Sequence, residues 1–166
     1  MKSLVIFFLF TLTRCSNVNE ERSLNSDTPV TGEIEKVKLY NLTGAQIDLS
    51  EYKGRTVFIN FWATWCRPCL EEMPAIKSAM NSLRNEKIDF LFASDETAAQ
   101  IEDFERQHNY QFNYLTTTSM DDLGITGLPT TFVFDKNGKL VFSEMGYRKW
   151  NDKANLDLLM NIIKNQ

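Results

Sequence analysis

The feature that most constrains the fold is a buried strand that runs directly into a helix at a pair of cysteines. Residues 56–62 form a compact apolar run rich in β-branched and aromatic side chains, which is typical of a buried strand. Apolar side chains recur every three or four residues along residues 68–85, which predicts a helix. Cys66 and Cys69 lie at the junction. A strand followed at once by a helix favours an α/β architecture.

The rest of the chain continues this alternation of strands and helices. Its patterns predict a hairpin over residues 37–49, strands at 88–93, 112–115, 130–134 and 140–144, and helices at 97–108 and 152–163. The Asn137-Gly138 turn indicates that the last two strands form a hairpin. The predicted fold class is α/β, with a central mixed β-sheet flanked by α-helices.

Length and charge narrow the possible functions. The chain has 166 residues, 43% of them hydrophobic, which suits one compact domain. Its formal net charge is −4, and acidic and basic residues are interspersed along the chain. Such a chain offers no basic face to a phosphate backbone, so we expect no nucleic-acid binding. No motif predicts a cofactor.

The first residues predict export from the cytoplasm. A lysine at position 2 precedes the apolar run 4–12, which is about half the length needed to cross a bilayer. Cys15 follows, and the stretch resembles a bacterial lipoprotein signal in which this cysteine is acylated, although Arg14 stands where a small residue is usual. The alternatives are an uncleaved anchor or ordinary signal removal. We therefore divide the chain into a signal at 1–15, a polar tether at 16–34 and a folded domain at 35–166.

The cysteine pair is predicted to be redox-active. Cys66 falls at a helix N-terminus, where free N–H groups and the helix dipole favour a thiolate, and Arg67 adds positive charge. Cys69 lies one turn further along the helix, so Cys66 is the predicted attacking thiol and Cys69 the resolving thiol. Inert core thiols or half of a zinc site are the alternatives. A zinc site is disfavoured because the chain has no second cysteine pair and only one histidine, His108.

Three segments resemble the thioredoxin-like proteins of the exported TlpA/ResA class. They are Asn60-Phe61-Trp62-Ala63-Thr64-Trp65-Cys66-Arg67-Pro68-Cys69, Gly127-Leu128-Pro129-Thr130-Thr131-Phe132 and Asp135-Lys136-Asn137-Gly138. The resemblance covers about residues 35–166 and implies a thioredoxin-like fold in which Pro129 is cis. It also implies a disulfide between Cys66 and Cys69. The substrate groove that it implies is formed by Trp65, Arg67, Pro68, Leu128 and Pro129.

The same resemblance implies a reaction and its partners. Asn60 replaces the buried aspartate of cytosolic thioredoxins, and Glu72 matches an active-site glutamate of the TlpA/ResA class that would accept a proton. The class implies a reductant of protein disulfides, as in cytochrome c maturation, supplied with electrons by a membrane carrier of the CcdA/DsbD type. The alternatives are a peptide-binding module with non-catalytic cysteines and a peroxidase. For a peroxidase, the proline of its Pro-x-x-x-Thr-x-x-Cys pattern is absent here.

Overall fold

A computed structural model describes residues 34–118 and 120–165. The predicted signal segment with Cys15, and all of the predicted tether except its last residue, lie outside the described residues. Six strands are present: β1 (Leu39–Tyr40), β2 (Thr56–Phe61), β3 (Ile88–Ser94), β4 (Asn113–Thr117), β5 (Thr130–Phe134) and β6 (Leu140–Met145). The helices are α1 (Arg67–Ser82), α2 (Ala98–His108) and α3 (Lys153–Lys164), with short 3-10 turns at Ile34–Lys36, Leu49–Tyr52 and Asp121–Leu123.

The strands form one mixed sheet in the order β1-β4-β3-β2-β5-β6. β2, β3 and β4 run parallel to one another, because α1 and α2 carry the chain back between them. β5 and β6 form an antiparallel hairpin, and β5 pairs antiparallel with β2. The sheet confirms the predicted α/β class and places β2, which leads to the cysteines, near its centre.

The two faces of the sheet are covered differently. Side chains on one face, among them Phe58, Phe92 and Val133, pack in one cluster with residues of all three α-helices. Those on the other face, among them Ile59 and Phe132, pack with residues of the 3-10 turns. All six residues of β2 are buried, as the apolar run predicted.

Local signals fix where the helices begin. Cys66 is the N-cap of α1, and Pro68 lies in its first turn, where the absent N–H costs no helical hydrogen bond. Thr97 and Gln100 form a capping box that starts α2. α1 continues through Pro74 and ends at Ser82. Within the described ranges 34–118 and 120–165, the helices are too short or too polar to cross a membrane.

The predicted hairpin over residues 37–49 is present only in part. Only one bridge joins its two halves, between Tyr40 and Gln46, and the chain then enters a 3-10 turn at Leu49. The other edge of β1 pairs antiparallel with β4, far along the chain. The side-chain oxygen of Asn41 accepts backbone bonds within the turn, which stabilises a tight reversal without a second strand.

Candidate active site

The two cysteines of the strand–helix junction form a disulfide. Cys66 and Cys69 have their Cα atoms 5.3 Å apart, and Cys66 Sγ accepts a hydrogen bond of 3.3 Å from the backbone N–H of Cys69. Cys66 is 4% exposed and Cys69 1% exposed. The position of Cys66 at the helix N-terminus, where the dipole is positive, suits a sulfur that becomes negative on reduction.

The residues around the disulfide present a mostly exposed surface. The side chain of Trp65 is 72% exposed, and Pro68 is exposed as well. Arg67 forms an exposed ion pair of 2.9 Å with Glu71, one turn along the helix. Because the negative charge of Glu71 partly offsets the charge of this guanidinium, Arg67 favours a Cys66 thiolate less than the sequence suggested.

The loop before β5 lies beside the cysteines, at the same edge of the sheet. Phe61, the last residue of β2, pairs with Thr130, which follows Pro129 directly. The Leu128–Pro129 peptide bond is cis, as the resemblance implied. Leu128 packs against the cluster that contains both cysteines, and the carbonyl of Pro129 accepts a bond of 2.7 Å from the backbone N–H of Gly146.

Glu72 lies one helical turn beyond Cys69 and is fully buried. Its carboxylate accepts hydrogen bonds from the backbone N–H of Arg148 (3.0 Å), the indole Nε1 of Trp150 (2.7 Å) and the side-chain amide of Asn60 (3.2 Å). The pKa of Glu72 is raised to about 7: burial raises it most, these hydrogen bonds lower it, and the nearby Glu144 raises it. A group with this pKa can take or release a proton near neutral pH.

Asn60 of β2 links Glu72 to the neighbouring strand β5. Its amide nitrogen donates to Glu72 Oε2 and to Thr131 Oγ1 (3.1 Å), and Asn60 and Thr131 are paired residues of β2 and β5. All three side chains are buried. The sheet therefore holds one oxygen of the carboxylate, and the chain after β6 holds the other.

Sequence reasoning missed Glu96, which fixes the loop before Cys66. Its carboxylate accepts bonds of 2.6 Å from both the backbone N–H and the hydroxyl of Thr64, and one of 3.1 Å from Ser94. A signal was available in the sequence, because Glu96 follows β3, and the carboxyl ends of the parallel strands β2 and β3 meet at one edge of the sheet.

The contacts of Arg148 and Trp150 were also missed. Both lie in residues 146–152, which join β6 to α3 and have no periodic pattern, so nothing in the sequence relates them to Glu72. Trp150 is fully buried against Phe58 and Phe142. Only the folding of this segment over α1 brings them to the site.

Comparisons with known proteins agree on one family. The AhpC/TSA family model matches residues 30–143. The thiol-disulfide oxidoreductases ResA of Bacillus thuringiensis subsp. konkukian and Bacillus subtilis are 32% and 30% identical to this chain over 105 and 107 residues, covering 61% and 62% of it. These alignments span 61% and 60% of the relatives' own length.

Solved structures share the fold. A thiol:disulfide interchange protein of the thioredoxin family from Chlorobium tepidum superposes with a TM-score of 0.62 at 22% identity, covering 83% of this chain and 99% of that one. The exposed lipoprotein thioredoxin of Streptococcus pneumoniae superposes with a TM-score of 0.61 at 24% identity, covering 78% and 98%. The fold is therefore thioredoxin-like.

Proposed function

This chain belongs to the AhpC/TSA family, and we propose that it is a thiol–disulfide oxidoreductase that exchanges disulfides with protein substrates through Cys66 and Cys69. One observation carries the proposal: the disulfide at the start of α1 lies beside a cis-proline loop and one helical turn from a buried glutamate. The ResA relatives support the same reaction class, since they carry the name thiol-disulfide oxidoreductase.

The reaction proceeds in two exchange steps. In the reduced protein, the Cys66 thiolate attacks a substrate disulfide, so that a mixed disulfide forms and the other substrate sulfur leaves as a thiolate. Cys69 then loses its proton and attacks Cys66 Sγ, and the second substrate sulfur leaves. The substrate gains two electrons, and the Cys66–Cys69 disulfide seen here is the product.

We assign Glu72 as the group that takes the proton of Cys69 in the second step. Its carboxylate is one helical turn from Cys69, it is shielded from solvent, and its pKa is raised to about 7. A base with a pKa close to the working pH combines availability with proton affinity. Asn60 is a neutral amide that donates a hydrogen bond to Glu72. Glu72 is therefore the acidic residue in its hydrogen-bonded contact with Asn60.

Substrate chains are assigned to the groove formed by Trp65, Arg67, Pro68, Leu128 and Pro129. The exposed indole of Trp65 offers a flat apolar surface beside the disulfide. In this proposal Leu128, which packs against the cysteine cluster, and the buried Pro129 form the other wall of the groove. A groove of this kind recognises an extended polypeptide around a cysteine rather than a small molecule.

Replacing Cys69 with serine should trap substrates. Without the resolving thiol, the mixed disulfide at Cys66 cannot be released within the protein, so it should accumulate. The measurement is non-reducing electrophoresis of tagged C69S, in which we expect higher-mass species that dithiothreitol removes. The double variant C66S/C69S is the matched control, and equal amounts of these species in both variants would contradict the mechanism.

The proposed direction is reduction of the substrate. The measurement is equilibration of the protein with glutathione buffers, followed by quantification of the dithiol fraction. We expect a potential more negative than that of protein disulfide isomerase, about −180 mV. A potential near that of DsbA, about −120 mV, would instead assign the protein as an oxidant.

The proposed location is outside the cytoplasmic membrane. Its support is the signal-like segment 1–15 with Cys15 as the lipid attachment site, the polar tether 16–34 and the domain 35–166. The Streptococcus pneumoniae protein that shares this fold is named an exposed lipoprotein thioredoxin. A membrane electron carrier of the CcdA/DsbD type would then re-reduce the pair, which would serve cytochrome c maturation or general dithiol maintenance.

A further inference from the structure

The segment of residues 146–150, which follows β6, binds the Glu72 carboxylate. Two of its donors reach the same carboxylate oxygen, Oε1: the backbone N–H of Arg148 at 3.0 Å and the indole Nε1 of Trp150 at 2.7 Å. The indole bond is the shortest that Glu72 receives. Trp150 is 78 residues away from Glu72 in the sequence, so the contact depends on tertiary structure alone.

Packing holds the indole of Trp150 in one orientation. Its ring meets Phe58 of β2 edge-on, with centroids 4.8 Å apart, and Phe142 of β6 edge-on at 5.9 Å. The guanidinium of Arg148 lies over the rings of both Phe142 and Trp150. Rings packed on several sides have little rotational freedom, so the N–H direction is set before any proton moves.

Arg148 in turn is fixed by two further contacts. Its guanidinium pairs with Glu144 on β6 and donates a bond of 2.6 Å to Asn155 on α3. Asn155 also binds the carbonyl of Lys149 (2.8 Å), which fastens the segment to α3. The backbone N–H of Arg148 remains directed at Glu72.

From these contacts we infer that Trp150 is a positioning residue for Glu72: its indole N–H holds the carboxylate in place beside Cys69 and stabilises the charged form of Glu72. The inference rests on the proposed function, in which Glu72 takes the proton of Cys69. The charged groups that face Glu72 are Glu144 and Arg148, and Glu144 opposes the charged form. The hydrogen bonds that Trp150, Arg148 and Asn60 donate lower the pKa of Glu72, whereas burial and Glu144 raise it.

The wild-type protein allows a direct test by NMR. Its three tryptophans give three indole N–H signals, and the signal of an indole bound to a carboxylate should move with the titration of that carboxylate. We expect the Trp150 signal of the oxidised protein to titrate with a midpoint near 7 and to become insensitive to pH in E72Q. A Trp150 signal that does not titrate in the wild type would overturn the inference.

The W150F variant tests the bond itself, and W62F is its matched control. Trp62 is also fully buried, but its Nε1 has no hydrogen-bond partner among residues 34–118 and 120–165. In W150F the pKa of Glu72, followed by carboxyl ¹³C NMR, should rise by about 1, because a hydrogen bond to the charged form is lost. In W62F it should stay at the wild-type value. An unchanged or lowered pKa in W150F would contradict the inference.

Insulin reduction by the same variants separates this inference from the proposed function. We expect the pH at which W150F reaches half of its maximal rate to move upward with the Glu72 pKa, while W62F keeps the wild-type midpoint. If wild type does not reduce insulin at all, the oxidoreductase proposal fails, but the NMR titrations still decide the role of Trp150. An active W150F with an unmoved midpoint and an unmoved pKa would overturn only the role of Trp150.

Discussion

Serine at position 66 should reduce the catalysed reduction of insulin by dithiothreitol to the uncatalysed background. A serine hydroxyl neither ionises near neutral pH nor forms a disulfide, so no mixed disulfide with the substrate can form at α1. The measurement is the rate of insulin precipitation with equal amounts of wild type and C66S. Because Cys66 is the N-cap of α1 and serine is a good N-cap residue, we expect the fold to be retained.

Two controls make this result specific. Circular dichroism of C66S should match that of reduced wild type, which shows that lost activity is not lost folding. C69S should still form adducts with insulin, although it cannot complete the reaction. If C66S kept the wild-type rate, the exchange mechanism would be wrong. If both proteins gave only the uncatalysed background rate, the peptide-binding module with non-catalytic cysteines would become the better assignment.

Replacing Glu72 with glutamine should remove a large pH dependence of stability. The pKa of Glu72 is near 4.5 in a free side chain and about 7 in the folded protein, so the folded state holds this proton more tightly. Its contribution to the free energy of unfolding is therefore fully present below pH 4.5 and lost as the pH rises through 7. The loss amounts to about 3 kcal/mol.

Glutamine fits this site with one local adjustment. The side-chain oxygen of the glutamine can accept the hydrogen bonds of Arg148 and Trp150. If the Asn60 amide rotates, its oxygen can accept a hydrogen bond from the side-chain nitrogen of the glutamine. Urea unfolding at pH 4.5 and pH 8, with the disulfide intact, should show E72Q gaining on wild type as the pH rises. E71Q, which changes the exposed neighbour, is the control and should follow wild type. Parallel wild-type and E72Q curves would contradict a raised pKa.

The sequence predicted the reactive part of the fold well, because its signals are local. The apolar run of β2, the period of α1 and the Asn137-Gly138 turn each depend on neighbouring residues alone, and the structure has all three. The position of Cys66 follows from these elements. Resemblance added the cis bond at Pro129, which spacing and composition do not predict.

The features that the sequence did not predict depend on contacts between residues that are far apart along the chain. β1 makes a single bridge to Gln46 and a longer pairing with β4, and no local pattern in the sequence predicts the pairing with β4. Glu72 is buried by Arg148 and Trp150, which lie in a segment without periodicity. A glutamate on a helix is usually solvated, so its burial becomes evident only when the chain after β6 is in place.

The central place of β2 has a consequence for how the protein moves during turnover. β2 is paired along both edges and buried on both faces, so its backbone can open only if β3 and β5 also separate from it. Opening free energies are highest in such elements and lowest in exposed loops. We therefore expect any motion that accommodates a substrate at Cys66 to occur in the exposed loops, while β2 keeps its position in the sheet.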